Sequence, residues 1–384
     1  MVLIYFDNAA TSMHKPQEVT DAVVFALNHF GNASRGVYDE SLQADRLIYD
    51  ARSEIAELFN AGNPRQVAFS KNSTESLNIA IFGTLSPENH VITSVSEHNS
   101  VLRPLNYLED RGMQLSFLPI DDKGRIQIDK IPSLIQKNTK AIVITHASNV
   151  SGNITDLCAV SEFCKKYDLM LIVDGSQTAG SIEIDMQSMG IDILCFTGHK
   201  SLMGPQGIGG LCVNESTYIR PFIVGGTGIH SYDKFQPDKM PTRLESGTIN
   251  SIGIAGLFAA VKYLKEKNII TLHKKALEVS QYFYSKLSEF EGIKFYGDYS
   301  AKNRAAIVSF NIGNMDSALI GKSLISDHNI STRVGTHCAP LLHIAFGTDK
   351  QGMVRFSFSH NNTFEEVDIA VEALKNIINT KEDL

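Results

Sequence analysis

Asp192-Ile-Leu-Cys-Phe-Thr-Gly-His-Lys-Ser-Leu-Met-Gly-Pro-Gln-Gly-Ile-Gly-Gly-Leu-Cys-Val213 is the stretch whose reading decides the fold. Two short apolar runs, Ile191–Phe196 and Ile208–Val213, read as buried strands. Between them lies a polar, glycine-rich connector carrying one lysine, Lys200. An amine held at a strand end is suited to a Schiff base with a carbonyl cofactor. Thr197 and His199, just before it, are donors suited to a phosphate. Gly204, Gly207, Gly209 and Gly210 let backbone turn tightly and approach a ligand. Taken alone, the stretch reads equally well as a glycine-rich hairpin with an incidental lysine.

Moving outward, a rhythm appears. Strand-like runs occur at 66–70, 90–95, 114–120, 140–145, 169–174, 191–196 and 208–213, with helix-like segments at 74–82, 101–111, 131–137 and 157–167 between most of them. The runs are continuously apolar rather than alternating, which predicts an α/β fold with a mainly parallel seven-stranded sheet covered on both faces. Ahead of it, residues 19–28 and 41–59 carry helical apolar spacing. After Val213 the texture changes to an irregular stretch containing Gly225-Gly-Thr-Gly228 and Pro237–Pro241. Helices are predicted at 251–267 and 272–290, strands at 305–312 and 353–359, and Thr363-Phe-Glu-Glu366 reads as a capping box opening a last helix. The expected division is a large domain over 15–250 and a smaller α+β domain made of 1–14 with 251–384, the helix after Ser251 acting as hinge.

The 384 residues are too many for one simple core. A net charge of −7 argues against nucleic acid or an anionic membrane as main partner. No apolar run approaches the about 20 residues of a membrane span, and the apolar start Met1–Phe6 is too short for a signal peptide. Five cysteines without a Cys-x-x-Cys pair fit reduced thiols in the cytoplasm rather than a disulfide frame or a metal site.

In an open α/β sheet, ligands sit beyond the carboxyl ends of the strands, so those ends are the candidates. The first delivers Asn72-Ser73-Thr74-Glu75, a helix start whose free N–H groups and hydroxyls suit a phosphate. The second delivers Glu97-His98, the fourth Ser148-Asn149, the fifth Asp174-Gly-Ser-Gln177, and the sixth Thr197, His199 and Lys200. Asp174 closes an apolar run and is costly to bury without a cationic partner. A protonated pyridine nitrogen is such a partner, and the pairing keeps the ring an electron sink. A ring partner, an oxygen partner (Asn149), phosphate donors and an amine together describe a site for pyridoxal 5′-phosphate (PLP). Each piece alone has an ordinary structural reading.

With these residues in view, the chain resembles the fold-type-I, class-V aminotransferase-like PLP enzymes, and among them the cysteine desulfurase and selenocysteine lyase group. The matching pieces are Asp7-Asn-Ala-Ala-Thr11, Arg35-Gly-Val37, Ser73-Thr-Glu75, Glu97-His98, Ser148-Asn149, Asp174-Gly-Ser-Gln177, Thr197-Gly-His-Lys200, Glu245-Ser-Gly-Thr248 and Arg333-Val-Gly-Thr-His-Cys338. The resemblance implies Lys200 as the Schiff-base lysine and Asp174 against the pyridine nitrogen. It implies Gln177 and Asn149 at the ring oxygen or substrate, and Ser73, Thr74, Thr197 and His199 on the phosphate. His98 would stack on the ring as acid/base. It further implies a homodimer, with Thr227 reaching the neighbour's phosphate.

Cys338 decides between reactions. Its loop also holds an arginine and a histidine, and cationic neighbours favour a nucleophilic thiolate. Cys158, Cys164, Cys195 and Cys212 sit in apolar patterns and read as inert core residues. Arg333 and Arg355 are candidates to fork onto a substrate carboxylate. By resemblance, the implied reaction is desulfuration of L-cysteine to L-alanine through a Cys338 persulfide, with a protein sulfur acceptor as partner. Selenocysteine lyase, or another class-V transaminase or β-lyase, is the alternative. Two departures stand beside Cys338. Thr336 replaces a frequent histidine, and Cys338-Ala-Pro-Leu-Leu-His343 replaces the frequent Cys-Ala-Gln-Pro-Leu. The short spacing from Arg333 to Cys338 is similar to the short-loop, group II (SufS-like) enzymes.

Overall fold

The computed structural model describes residues 3–31 and 38–382. Arg35, Gly36 and Val37 of the motifs above lie outside them. All seven expected strands form one sheet: Val67–Ser70, His90–Ser94, Gln114–Leu118, Thr139–Thr145, Met170–Asp174, Ile193–Thr197 and Gly209–Val213. Their order across the sheet, by sequence rank, is first, seventh, sixth, fifth, fourth, second, third. Only Gly209–Val213 runs antiparallel to its neighbours; the others are mutually parallel. The carboxyl ends of six strands therefore open on one edge. The continuous apolar runs are explained by two-sided burial: Ile142, Ile144, Leu171, Val173 and Leu194 belong to one core and Val91, Val143, Ile172 and Ile193 to another, all fully buried. Each such side chain contributes about 1.5–3 kcal/mol.

The helix Ser73–Thr84 starts hard against the sheet because Gly209 has no side chain. A Cβ there would lie 2.8 Å from Asn72 Cα. Asn72 caps that helix by accepting from Glu75 N at 3.0 Å, and Glu75 Oε2 accepts from Lys71 N at 2.6 Å. The helix expected at 131–137 is only Ile131–Leu134, opened by a proline at its first turn.

A second body is built on the four-stranded antiparallel sheet of Ile293–Phe295, Ile307–Ile312, Arg333–Gly335 and Met353–Ser357. Helices Ile269–Leu287, Ser317–His328 and Phe364–Glu382 supply its core, in which Phe283, Phe310 and Phe356 are fully buried. The capping box forms as expected: Thr363 Oγ1 accepts from Glu366 N, and Glu366 Oε2 accepts from Thr363 N, both at 3.2 Å. The N-terminal arm joins this body. Ile4–Tyr5 pairs in parallel with Ile330–Ser331, and Phe6 lies in its core. Helix Ser251–Lys267 has the expected bounds, but Ile254, Leu257, Val261 and Leu264 pack into the core of the large sheet. On this packing we propose that the division falls after Lys267 rather than at residue 250. Among the described residues no helix is long and apolar enough to cross a membrane.

Candidate active site

The parallel edge gathers the predicted residues. A cavity of about 260 Å³ is lined by Ser73, Thr74, His98, Asn149, Asp174, Gln177, Thr197, His199, Lys200, Arg333 and Arg355 among others. All predicted site residues except Cys338 and Thr227 thus share one chamber. Among the described residues, no hydrogen bond or ion pair is made by Lys200 Nζ. Burial lowers its pKa to about 8; Asp174 and Asp7 oppose that effect, and Arg355 and Arg333 add to it.

Asp174 is aimed rather than merely buried. Its Oδ1 accepts from Ser176 N at 2.9 Å, Ser176 Oγ at 2.5 Å and Ser73 Oγ at 3.3 Å. These tethers fix the carboxylate plane and leave Oδ2 without a protein partner among the described residues. Thr197 Oγ1 is buried with no hydrogen-bond partner among the described residues. The N–H groups of Ser73 and Thr74 open a helix and have no intrahelical acceptor. An orphaned hydroxyl, a helix N-terminus, an open carboxylate oxygen and an unpaired amine in one chamber suit PLP, offering donors for a phosphate, an acceptor for a ring N–H and a nucleophile for an aldehyde. No group of His, Cys, Asp and Glu among the described residues is placed to hold a metal ion.

His98 caps the helix Asn99–Glu109. Its Nδ1 accepts from Ser100 N at 3.0 Å. A backbone N–H can only donate, so the neutral ring carries its proton on Nε2. Burial lowers its pKa to about 4; Asp174 opposes that effect, while Lys200, Arg333 and Arg103 add to it. Beside it Glu97 is fully buried, accepts from Ser94 Oγ and Thr145 N through Oε1, and leaves Oε2 unpaired among the described residues. Burial raises its carboxyl pKa to about 8. His199 Nδ1 lies 3.0 Å from Thr11 Oγ1, which ties the N-terminal arm to the lysine loop.

Two side chains are more committed than sequence suggested. Asn149 Nδ2 donates to His337 O at 2.8 Å, and Gln177 Nε2 donates to Ala9 O at 3.2 Å. Arg355 is 1 % exposed and joins three segments: Nη2 pairs with Asp7 Oδ1 at 2.6 Å, Nη1 donates to Asn149 O at 3.0 Å, and buried Nε has no partner among the described residues.

Cys338 lines a separate cleft of about 820 Å³ with Phe82, Arg103, Tyr107 and Phe222. Thr74, His98 and Ser100 line both that cleft and the Lys200 chamber. Arg333 Nη2 reaches from the chamber to Cys338 Sγ at 3.8 Å. His337 and Cys338 both adopt left-handed backbone, φ +49° and +58°, at a cost of about 1–3 kcal/mol each. Two bonds from the large body hold them there: Asn149 Nδ2 to His337 O, and Asn99 N to Cys338 O at 2.7 Å.

Cys164, Cys195 and Cys212 are buried as expected, and burial raises all three thiol pKa values. Cys158 is a correction: it sits on the outer side of helix Leu157–Tyr167 and is exposed, not core. Thr227 lies on the loop Val224–Pro237, outside the chamber of its own chain, with its hydroxyl donating to Ile229 O. Sequence reasoning missed Arg52. It pairs with Glu245 at 2.7 Å, both nearly buried, and Glu245 Oε1 also accepts from Phe69 N at 2.7 Å. No local pattern links residues so far apart.

Known proteins resemble this chain over nearly its whole length. Residues 4–369 match the family model "Aminotransferase class-V". A probable cysteine desulfurase of Pyrococcus abyssi is 31% identical over 98% of this chain and 94% of its own. One from Methanothermobacter thermautotrophicus is 29% identical over 97% and 94%. The apo structure of a cysteine desulfurase from Thermococcus onnurineus superposes with TM-score 0.92 at 30% identity, covering 98% of this chain and 95% of that one. With the family model spanning both bodies and the chamber between them, the chain belongs to the class-V aminotransferases, a PLP-dependent family.

Proposed function

We propose that this chain is a cysteine desulfurase, converting L-cysteine to L-alanine and taking the sulfur onto Cys338 as a persulfide. One observation carries the reading: Arg333 lines the amine chamber and also touches the Cys338 sulfur. A substrate held beside Lys200 with its carboxylate on the arginines then presents its side-chain sulfur toward Cys338. The desulfurase names of the full-length relatives support the same reaction class.

Ser73, Thr74, Thr197 and His199 would hold the PLP phosphate, Asp174 the ring nitrogen, and Lys200 the aldehyde carbon. When bound, PLP supplies a sink for the electron pair left as the substrate Cα loses its proton. Lys200, with its lowered pKa, supplies a neutral amine to receive that proton at working pH. His98 would stack on the ring as acid/base, and Asn149 and Gln177 would contact the ring oxygen or substrate. Arg355, which lines the chamber with Arg333, would offer its guanidinium to the substrate carboxylate. Cys338 thiolate attacks the substrate sulfur: an S–S bond forms, the C–S bond breaks, and a proton takes sulfur's place on carbon. The terminal sulfur then leaves to a thiol on a protein acceptor, which would approach through the cleft that Cys338 lines. A homodimer in which Thr227 completes the neighbour's phosphate site, in a reducing cytoplasm, belongs to the same proposal.

The test is product identity. PLP-loaded protein given L-cysteine should yield alanine, and Cys338→Ala should keep the cofactor's visible absorbance while losing alanine and sulfide formation. Pyruvate as the main product, or full sulfide release by Cys338→Ala, refutes the assignment.

A further inference from the structure

His343 stands in the segment after Cys338 that departs from the frequent desulfurase pattern, and nothing above gives it a task. It is fully buried, as are, nearly, His337 and Thr348. The three side chains form a line under the Cys338 turn. His343 Nδ1 lies 2.9 Å from Thr348 Oγ1, His343 Nε2 lies 3.5 Å from His337 Nδ1, and His337 Nε2 lies 3.3 Å from Arg333 O. The two rings are nearly coplanar, 12° apart, with centroids at 5.7 Å. That separation exceeds the nitrogen–nitrogen distance by roughly the two ring radii, so the rings meet edge to edge, as an N–H···N bond requires.

The proton order along the line follows from its end. A carbonyl oxygen only accepts, so His337 carries its proton on Nε2 and offers Nδ1 as acceptor. His343 must then donate from Nε2, and its Nδ1 accepts from the Thr348 hydroxyl. Every proton points toward Arg333 O, and both rings are neutral. Burial, which lowers the pKa of each, agrees. The charged groups around the pair are Arg355 and Arg333 at His337 and Asp349 at His343.

We propose that His343 is a positioning residue for Cys338: with Thr348 it fixes the His337 ring, and through it the left-handed turn that holds the sulfur against Arg333. His337 bridges back to the carbonyl of the residue whose guanidinium touches Sγ, so the line closes the loop Arg333–Cys338 on itself. The large body holds that turn by its backbone, through Asn99 and Asn149; the histidine line holds it by its side chain. The importance of that sulfur rests on the desulfurase reading; its placement does not.

The experiment needs no substrate. PLP-loaded protein is labelled with iodoacetamide, and the rates at Cys338 and at exposed Cys158 are separated by peptide mass spectrometry, Cys158 serving as internal control. In His343→Leu, labelling of Cys338 should slow by about fivefold, the scale of one buried hydrogen bond, with Cys158 and the cofactor spectrum unchanged. Arg333→Met should slow it similarly, and the double variant should be no slower than either. His343→Gln, whose amide donates from the position of Nε2, should restore the rate. His343→Asn, which reaches only the position of Nδ1, should not. Thr348→Val, which removes only the hydroxyl, should slow labelling less than His343→Leu. Unchanged or faster labelling in His343→Leu, or a His343→Gln as slow as His343→Leu, overturns the proposal. A wild type that forms no persulfide with L-cysteine would sink the desulfurase reading and leave these rates untouched.

Discussion

Replacing Arg355 by lysine keeps the charge and removes the fork. The guanidinium uses Nη2 on Asp7 and Nη1 on Asn149 O, and the residue lines the chamber beside Lys200. A lysine ammonium is a single point and cannot serve an aspartate, a backbone carbonyl and a substrate carboxylate from these three directions. The variant should keep the Asp7 pair, the closest contact, and give up the substrate contact. A hydrogen bond to a charged group contributes about 1.5–3 kcal/mol. At tenfold per about 1.4 kcal/mol, the affinity for L-cysteine should fall about 10- to 150-fold. The carboxylate is not part of the bonds that break, so the loss should appear in KM with kcat within about threefold. The assay is steady-state alanine formation together with titration of L-cysteine against the cofactor absorbance. A KM within about threefold of wild type in a folded, PLP-loaded Arg355→Lys would show that Arg355 only clamps the N-terminal arm.

Three further expectations follow from buried charge. Cofactor-free protein should capture PLP with a rate that rises through about pH 8 rather than about 10.5, because burial depresses the Lys200 pKa and the neutral amine is the nucleophile; capture kinetics across pH 6 to 10 (roughly the range in which such an amine titrates) check it. Glu97 has the opposite sign. Its pKa is raised to about 8 in the fold, so its contribution to stability is lost as pH rises from the unfolded value near 4.5 through 8. Glu97→Gln should therefore gain in thermal midpoint relative to wild type with increasing pH over that window. Arg52→Leu should destabilise by about 3–5 kcal/mol because it strands Glu245, whereas removing both partners should cost less; denaturant midpoints of the single and double variants measure it.

Much of the fold was legible because parallel strands buried on both faces have no alternation to disguise them. Ile142–Thr145 and Leu171–Asp174 announce both a strand and, by the polar residue that ends it, a site. The capping box at Thr363 was legible because its chemistry is local. The helix Ser317–His328 was not, because Gly321 interrupts its middle. The structure gives the reason for that glycine: a Cβ there would lie 2.6 Å from Val334 Cγ1, so it allows the helix to pack closely on strand Arg333–Gly335. At the site, strand ends supplied His98, Asp174 and Lys200 in chain order, but not their partners. The pairs Arg355–Asp7 and Arg52–Glu245 join residues 348 and 193 positions apart. Thr227 stays apart from its own chain's chamber, which a reading of strand ends does not show.

Sulfur transfer to Cys338 is measured by mixing PLP-loaded protein with one equivalent of L-cysteine, quenching, and mapping the added sulfur by peptide mass spectrometry. The peptide containing Cys338 should gain the mass of one sulfur atom, reversed by a reducing thiol, with an equal amount of alanine released. An unmodified Cys338 peptide alongside alanine production, or the extra sulfur on Cys158 instead, would contradict it.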